Sequence, residues 1–86
     1  MMGKMTDEIR QILNDHARLA LGADTLADDA DLYQSGMTSH ASVNVMLALE
    51  DTFDVEFPDH MLKRSVFESV SAIAAALSEL RAGAAA

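Results

Sequence analysis

Thr38, Ser39 and Ser42 crowd the stretch SGMTSHASVNVMLALEDTF (35–53), just where an apolar-periodic segment begins. A serine could be a nucleophile, a helix cap or a point of covalent attachment. Nucleophilic catalysis needs a base within reach. His40 adjoins Ser39 in sequence, but consecutive helical side chains diverge, so it cannot easily serve Ser39. No strand–turn–helix elbow surrounds the serine either. No catalytic residue is expected. Ordinary capping of the helix, by Ser39 with Thr38 as its competitor, explains the hydroxyls without chemistry. An attachment site explains them as well. A serine at a helix N-terminus, closing an exposed loop, can accept a phosphate-linked group, whose charge the free N–H groups and positive helix end would stabilise. Gly36, just upstream, keeps the backbone open to an approaching enzyme.

Metal chemistry finds little support. His16, His40 and His60 lie twenty or more residues apart and lack the i, i+4 pairing of a helical site. Asp24, Asp28, Asp29 and Asp31 suggest calcium, yet the central Gly and closing Glu of an EF-hand loop are missing. A solvated acidic loop is the expectation, with no metal.

Apolar spacing defines the elements that must position the hydroxyls. A first helix is predicted from Asp7 to Leu21, capped by Thr6, with Met5, Ile9, Ile12, Leu13, Ala17 and Ala20 as its stripe and Gly22 as its stop. The long connection that follows must be pinned, and Leu26, Leu32 and Tyr33 are its candidate pins. A second helix is predicted from Ser39 to Phe53. Pro58 then breaks the chain, and Asp59 can cap a brief turn through Leu62. The last helix should run from Ser69 to Arg81 on Val70, Ile73, Ala74, Leu77 and Leu80, with Phe67 packing before it. Residues 1–5 and 82–86 are expected to fray. The sum is one all-α domain over 1–86: three main helices, one short helix and a long first loop.

The second helix has two apolar faces. Ser42, Val45, Met46, Leu49 and Phe53 share an arc of roughly 100° and should face the core. Val43 and Leu47 lie more than roughly 90° away from its centre, among His40, Asn44 and Asp51. Glu50, Asp51 and Asp54 stand where the helix dipole disfavours acids, at about 0.3–1 kcal/mol each. An apolar strip on a polar side, kept with acids that cost stability, suggests a docking face.

Composition narrows the setting. The chain has 86 residues, a net charge of −8 and no cysteine. Nucleic acid and anionic membranes should repel it. A partner with a basic patch would attract it, although acidity also serves solubility. No leader-like or bilayer-length apolar run is seen, and the absence of disulfides fits a reducing compartment. A cytoplasmic monomer is expected.

From Leu32 to Leu80 the sequence resembles the acyl carrier protein family. Gly36-Met37-Thr38-Ser39-His40 stands where that family has Gly-x-Asp-Ser-Leu, and LALEDTFDVEFPD is similar to its acidic helix end and Pro-Asp step. Thr38 and His40 replace the family's Asp and Leu, which puts recognition by ordinary fatty-acid synthesis enzymes in question. The sequence looks closest to the aminoacyl carrier proteins. The resemblance implies an acyl-carrier-like bundle that is not an enzyme. Ser39 would bear 4′-phosphopantetheine, placed there from coenzyme A by a phosphopantetheinyl transferase. A ligase resembling class II aminoacyl-tRNA synthetases would load glycine or alanine as a thioester, for a downstream acceptor enzyme. The docking face would comprise Thr38, His40, Val43, Asn44, Leu47 and Asp51. Carriage for fatty-acid or polyketide synthesis, and an unmodified acidic adaptor, are the alternatives.

Overall fold

The computed structural model, which describes residues 2–17, 19, 22 and 26–85, has four α-helices, of which the three long ones are built on apolar residues at three- and four-residue steps. The four are α1 (Met2–His16), α2 (Ser39–Phe53), α3 (Arg64–Phe67) and α4 (Val70–Ala85), with a 3-10 turn at Asp59–Met61. No strand occurs among the described residues. The all-α bundle with three long helices is therefore the architecture. Two short elements, not one, separate α2 from α4. Lys63 is extended (φ −144°, ψ 159°) and breaks the chain between them.

The helix boundaries differ from expectation mainly in α1. It begins at Met2, so Thr6 lies inside the helix and not at its cap. Met5 packs against the core, and helical backbone reaching back to Met2 carries it there. The helix ends at His16, whose ring stands at the end of the dipole that favours a cation. The expected end at Leu21, the stripe residue Ala20 and the acid Asp24 lie outside the described residues. At the other end of the chain, α4 continues past Arg81 to Ala85, and residues 2–5 and 82–85 are helical.

The core forms where the long helices meet. Ile9 and Leu13 of α1, Val45 and Leu49 of α2, and Ile73 and Leu77 of α4 are all fully buried. Each such side chain contributes about 1.5–3 kcal/mol relative to exposure. On α2 the buried residues are Ala41, Val45 and Leu49, one turn apart. Ser42, Met46 and Phe53 flank them, half-buried. The core face is thus turned slightly towards Ala41 from the arc predicted.

The first loop is pinned as its length requires. Leu32 is fully buried, while Leu26 and Tyr33 pack partly against the core. Two backbone bonds tie it to the α3–α4 junction: the Leu32 N–H donates to the carbonyl of Glu68, the C-cap of α3 (2.7 Å), and the Ser71 N–H of α4 to that of Asp28 (2.8 Å). Arg10 of α1 donates to the Leu26 carbonyl (2.8 Å) and pairs with the Asp28 carboxylate. Asp31 accepts the N–H groups of Tyr33 (2.9 Å) and Gln34 (3.3 Å), starting the turn that ends at Gly36. The Met37 N–H closes back on the Leu32 carbonyl (3.0 Å). Gly36 has φ 118°, a backbone few side chains tolerate. Asp28 and Asp31 are therefore structural, and among the described residues no cluster of acids and histidines could hold a metal ion.

Candidate functional site at the start of α2

Met37 is buried in the core (2% exposed), which delivers the next residues to the surface at a fixed place. Thr38 follows with extended backbone (φ −83°, ψ 166°), and its Oγ1 accepts the Ala41 N–H at 3.0 Å. Thr38, then, is the N-cap. Ser39 was expected to cap; it is instead the first helical residue, because the buried Met37 sets the break in backbone geometry one position earlier. Ser42 turns back and donates its hydroxyl to the Ser39 carbonyl (2.7 Å). The Ser39 hydroxyl has no hydrogen-bond partner among the described residues, and the residue is exposed. An unengaged hydroxyl thus stands at the positive end of a fifteen-residue helix.

Beside it lies a groove of about 350 Å³ between α2 and α3. Tyr33, Val43, Met46 and Phe67 supply its apolar walls, and Leu62, Lys63 and Arg64 border it. The Arg64 guanidinium lies over the Tyr33 ring, 4.2 Å from its centroid. A larger cavity, about 890 Å³, runs between α1, the end of α2 and α4, and shares no residue with the Ser39 groove. Ser71 lines that cavity near the start of α4, but Ser39, the hydroxyl singled out by its sequence setting, lies in the smaller groove, which carries the chemical interest.

All six residues of the predicted docking face are exposed: Thr38, His40, Val43, Asn44, Leu47 and Asp51. Val43 (50%) and Leu47 (52%) are exposed large apolar side chains, as their position on α2 implied. Leu62 (46%) is a third, which the sequence reading missed. Its signal was an apolar residue following Met61, with no helical period to say which of the two faces inward. Lys63 and Arg64 were also missed, although a pair of adjacent cations is conspicuous in a chain this acidic.

The acids at the end of α2 divide into two roles. Glu50 reaches forward, and its Oε2 accepts the Phe57 N–H at 2.9 Å. The N–H groups of Asp54 and Val55 meet its backbone carbonyl. Phe57 is thereby held edge-on against Phe67, with centroids 5.2 Å apart. Glu50 is retained for the closing turn and not only for a partner. Asp51 and Asp54 remain exposed, Asp54 in left-handed backbone (φ 54°, ψ 52°) as the C-cap.

Comparison with known proteins identifies the group to which this arrangement belongs. Residues 7–77 match the family described as phosphopantetheine attachment site. The chain is 49% identical over 69 residues to the aminoacyl carrier protein of Agrobacterium fabrum (strain C58 / ATCC 33970), covering 80% of this chain and 83% of that one. A chain in the crystal structure of engineered Bradyrhizobium japonicum glycine:[carrier protein] ligase, complexed with carrier protein from Agrobacterium tumefaciens and ATP, superposes with a TM-score of 0.84. It is 45% identical, over 87% of this chain and 97% of that one. Another, from the Bradyrhizobium japonicum ligase complexed with glycylated carrier protein, gives 0.73 at 29% identity, over 85% and 97%. The chain therefore belongs to the phosphopantetheine attachment site family, as a carrier and not a catalyst, alongside the aminoacyl carrier proteins.

Proposed function

We propose that Ser39 bears 4′-phosphopantetheine and that the chain carries an amino acid, glycine or alanine, between a ligase and an acceptor enzyme. The observation that carries this reading is the division of labour at the start of α2. Thr38 caps the helix, which leaves the Ser39 hydroxyl exposed and unengaged. In the modification step a phosphopantetheinyl transferase directs Ser39 Oγ onto the pyrophosphate of coenzyme A. An Oγ–P bond forms, the P–O bond of the pyrophosphate breaks, and 3′,5′-ADP leaves while the hydroxyl proton passes to the transferase or solvent. The residues present fit the group: the hydroxyl is accessible, and the N-terminal N–H groups of α2 favour the anion it would acquire.

When attached, the group supplies a thiol on which an amino acid is held as a thioester. The chain has no cysteine, so no side chain of its own competes for the cargo. The strip of Thr38, His40, Val43, Asn44, Leu47 and Asp51, extended by Leu62, serves as the docking face. It is small and polar-rimmed, which suits partners that must bind, load and release. The ligases complexed with the carrier proteins compared above support a synthetase-like ligase as the loading partner. Acids along the loop and the end of α2 steer a basic partner surface. No helix of the described residues is long and apolar enough to cross a membrane. The cytoplasm, where coenzyme A and ATP are both at hand, is the proposed location.

Loading provides the test. The modified protein, incubated with a glycine:carrier protein ligase, ATP and glycine, is expected to gain one glycyl group by intact mass, removable with neutral hydroxylamine as a thioester is. Refusal of glycine and alanine alike, together with uptake of a fatty acyl group from an acyl-adenylating enzyme, would contradict amino acid carriage.

A further inference from the structure

Six cations stand against fourteen acids in this chain, and two of the six, Lys63 and Arg64, are adjacent and border the groove that contains Ser39. Both are exposed. Among the described residues the ion pair formed is that of Arg10 with Asp28, and neither Lys63 nor Arg64 has a carboxylate partner. Acids are nevertheless close in sequence, at Asp59 and Glu68. Arg64 is steadied by the face of Tyr33, which lines the same groove. Two unneutralised cations, one of them oriented by an aromatic ring, thus meet the unengaged hydroxyl across one groove. Such an edge is complementary to an anion. A guanidinium matches the oxygens of a phosphate as a fork, and an ammonium does so as a point charge.

We infer that Lys63 and Arg64 form an anion-holding edge for the phosphodiester created when Ser39 is modified, and so keep the base of the arm at the groove. The inference rests on Ser39 being the attachment residue. A phosphodiester retains one negative charge at neutral pH, and a chain of net charge −8 repels it as a whole. The N-terminus of α2 offsets that repulsion from one side, and the two cations do so from the other. Their removal leaves the arm attached but less held.

The test uses the unmodified and modified forms of the full chain, with attachment verified by intact mass. Amide resonances of Val43 and Met46 are compared between the two forms, and the phosphorus resonance is followed in the modified one. Raising the ionic strength from about 0.01 M to about 1 M shortens the screening length from about 30 Å to about 3 Å. In the wild type the phosphorus resonance should move over this range. In the Lys63→Gln/Arg64→Gln double variant most of that salt response, and most of the modification-induced shift at Val43 and Met46, should vanish, with each single variant between. Arg81→Gln removes a cation that lines the other cavity and should behave as the wild type. Equal responses in the double variant and wild type would overturn the inference, as would equal losses in the double variant and Arg81→Gln. A wild type that gains no mass rejects the attachment itself; a modified double variant indistinguishable from wild type rejects only the anion-holding edge.

Discussion

Thr38 and Ser39 are neighbouring hydroxyls with opposite fates, and the difference is set by one buried methionine. Met37 in the core fixes where extended backbone gives way to helix, so Thr38 faces the Ala41 amide and Ser39 faces solvent. Sequence alone made Ser39 a site candidate but assigned it the cap, because both residues are good caps and the deciding contact is tertiary. The two roles separate in stability measurements. In urea, Thr38→Ala is expected to cost about 0.5–2 kcal/mol as a lost cap. Ser39→Ala should stay within about 0.5 kcal/mol of wild type, as an exposed substitution with no partner does. Equal losses would mean that Ser39 shares the capping. Asp54 makes the same point at the other end of α2. It holds a left-handed backbone that costs a residue with a side chain about 1–2 kcal/mol, less for Asp than for most. Asp54→Gly should therefore raise the urea midpoint, and a lower midpoint would show the carboxylate to be structural.

The helix α2 was the most legible element: its range, Ser39–Phe53, is the one predicted, although the cap falls to Thr38 and not to Ser39. Its apolar residues alternate between a core stripe and an outward strip, a pattern that 3.6-residue periodicity reads directly. The short pieces after it were less legible. Asp59–Met61 and Arg64–Phe67 are too brief for periodicity, and their positions depend on where Phe57, Met61 and Phe67 find space in the core. That is why Leu62, Lys63 and Arg64 escaped notice as neighbours of Ser39. The start of α1 was misplaced for a related reason: a capping signal at Thr6 yielded to the burial of Met5 one residue earlier. The outward strip of α2 has its own test. Leu47 is half-exposed, so Leu47→Glu should retain the wild-type circular-dichroism melt while reducing ligase loading roughly tenfold, the effect of losing about 1.4 kcal/mol of docking energy. Unchanged loading would place the ligase on another face.

At the scale of the whole molecule, the described part of the acidic loop, residues 26–36, is held by few contacts. Leu32 fills the core, the Glu68 and Asp28 carbonyls bridge the loop and the α3–α4 junction, and Arg10 ties both to α1. The sequence identified the apolar pins, since a loop of that length in so small a domain had to be held. The backbone bridges could not be read from it, because any residue can supply them. The outcome is a fixed post that presents one hydroxyl beside a groove. The most direct measurement is intact mass after incubation with coenzyme A and a phosphopantetheinyl transferase. The account predicts that the wild-type chain gains one phosphopantetheinyl group and that Ser39→Ala, still folded, gains none. A group attached to the Ser39→Ala chain, or none attached to the wild type, would contradict it.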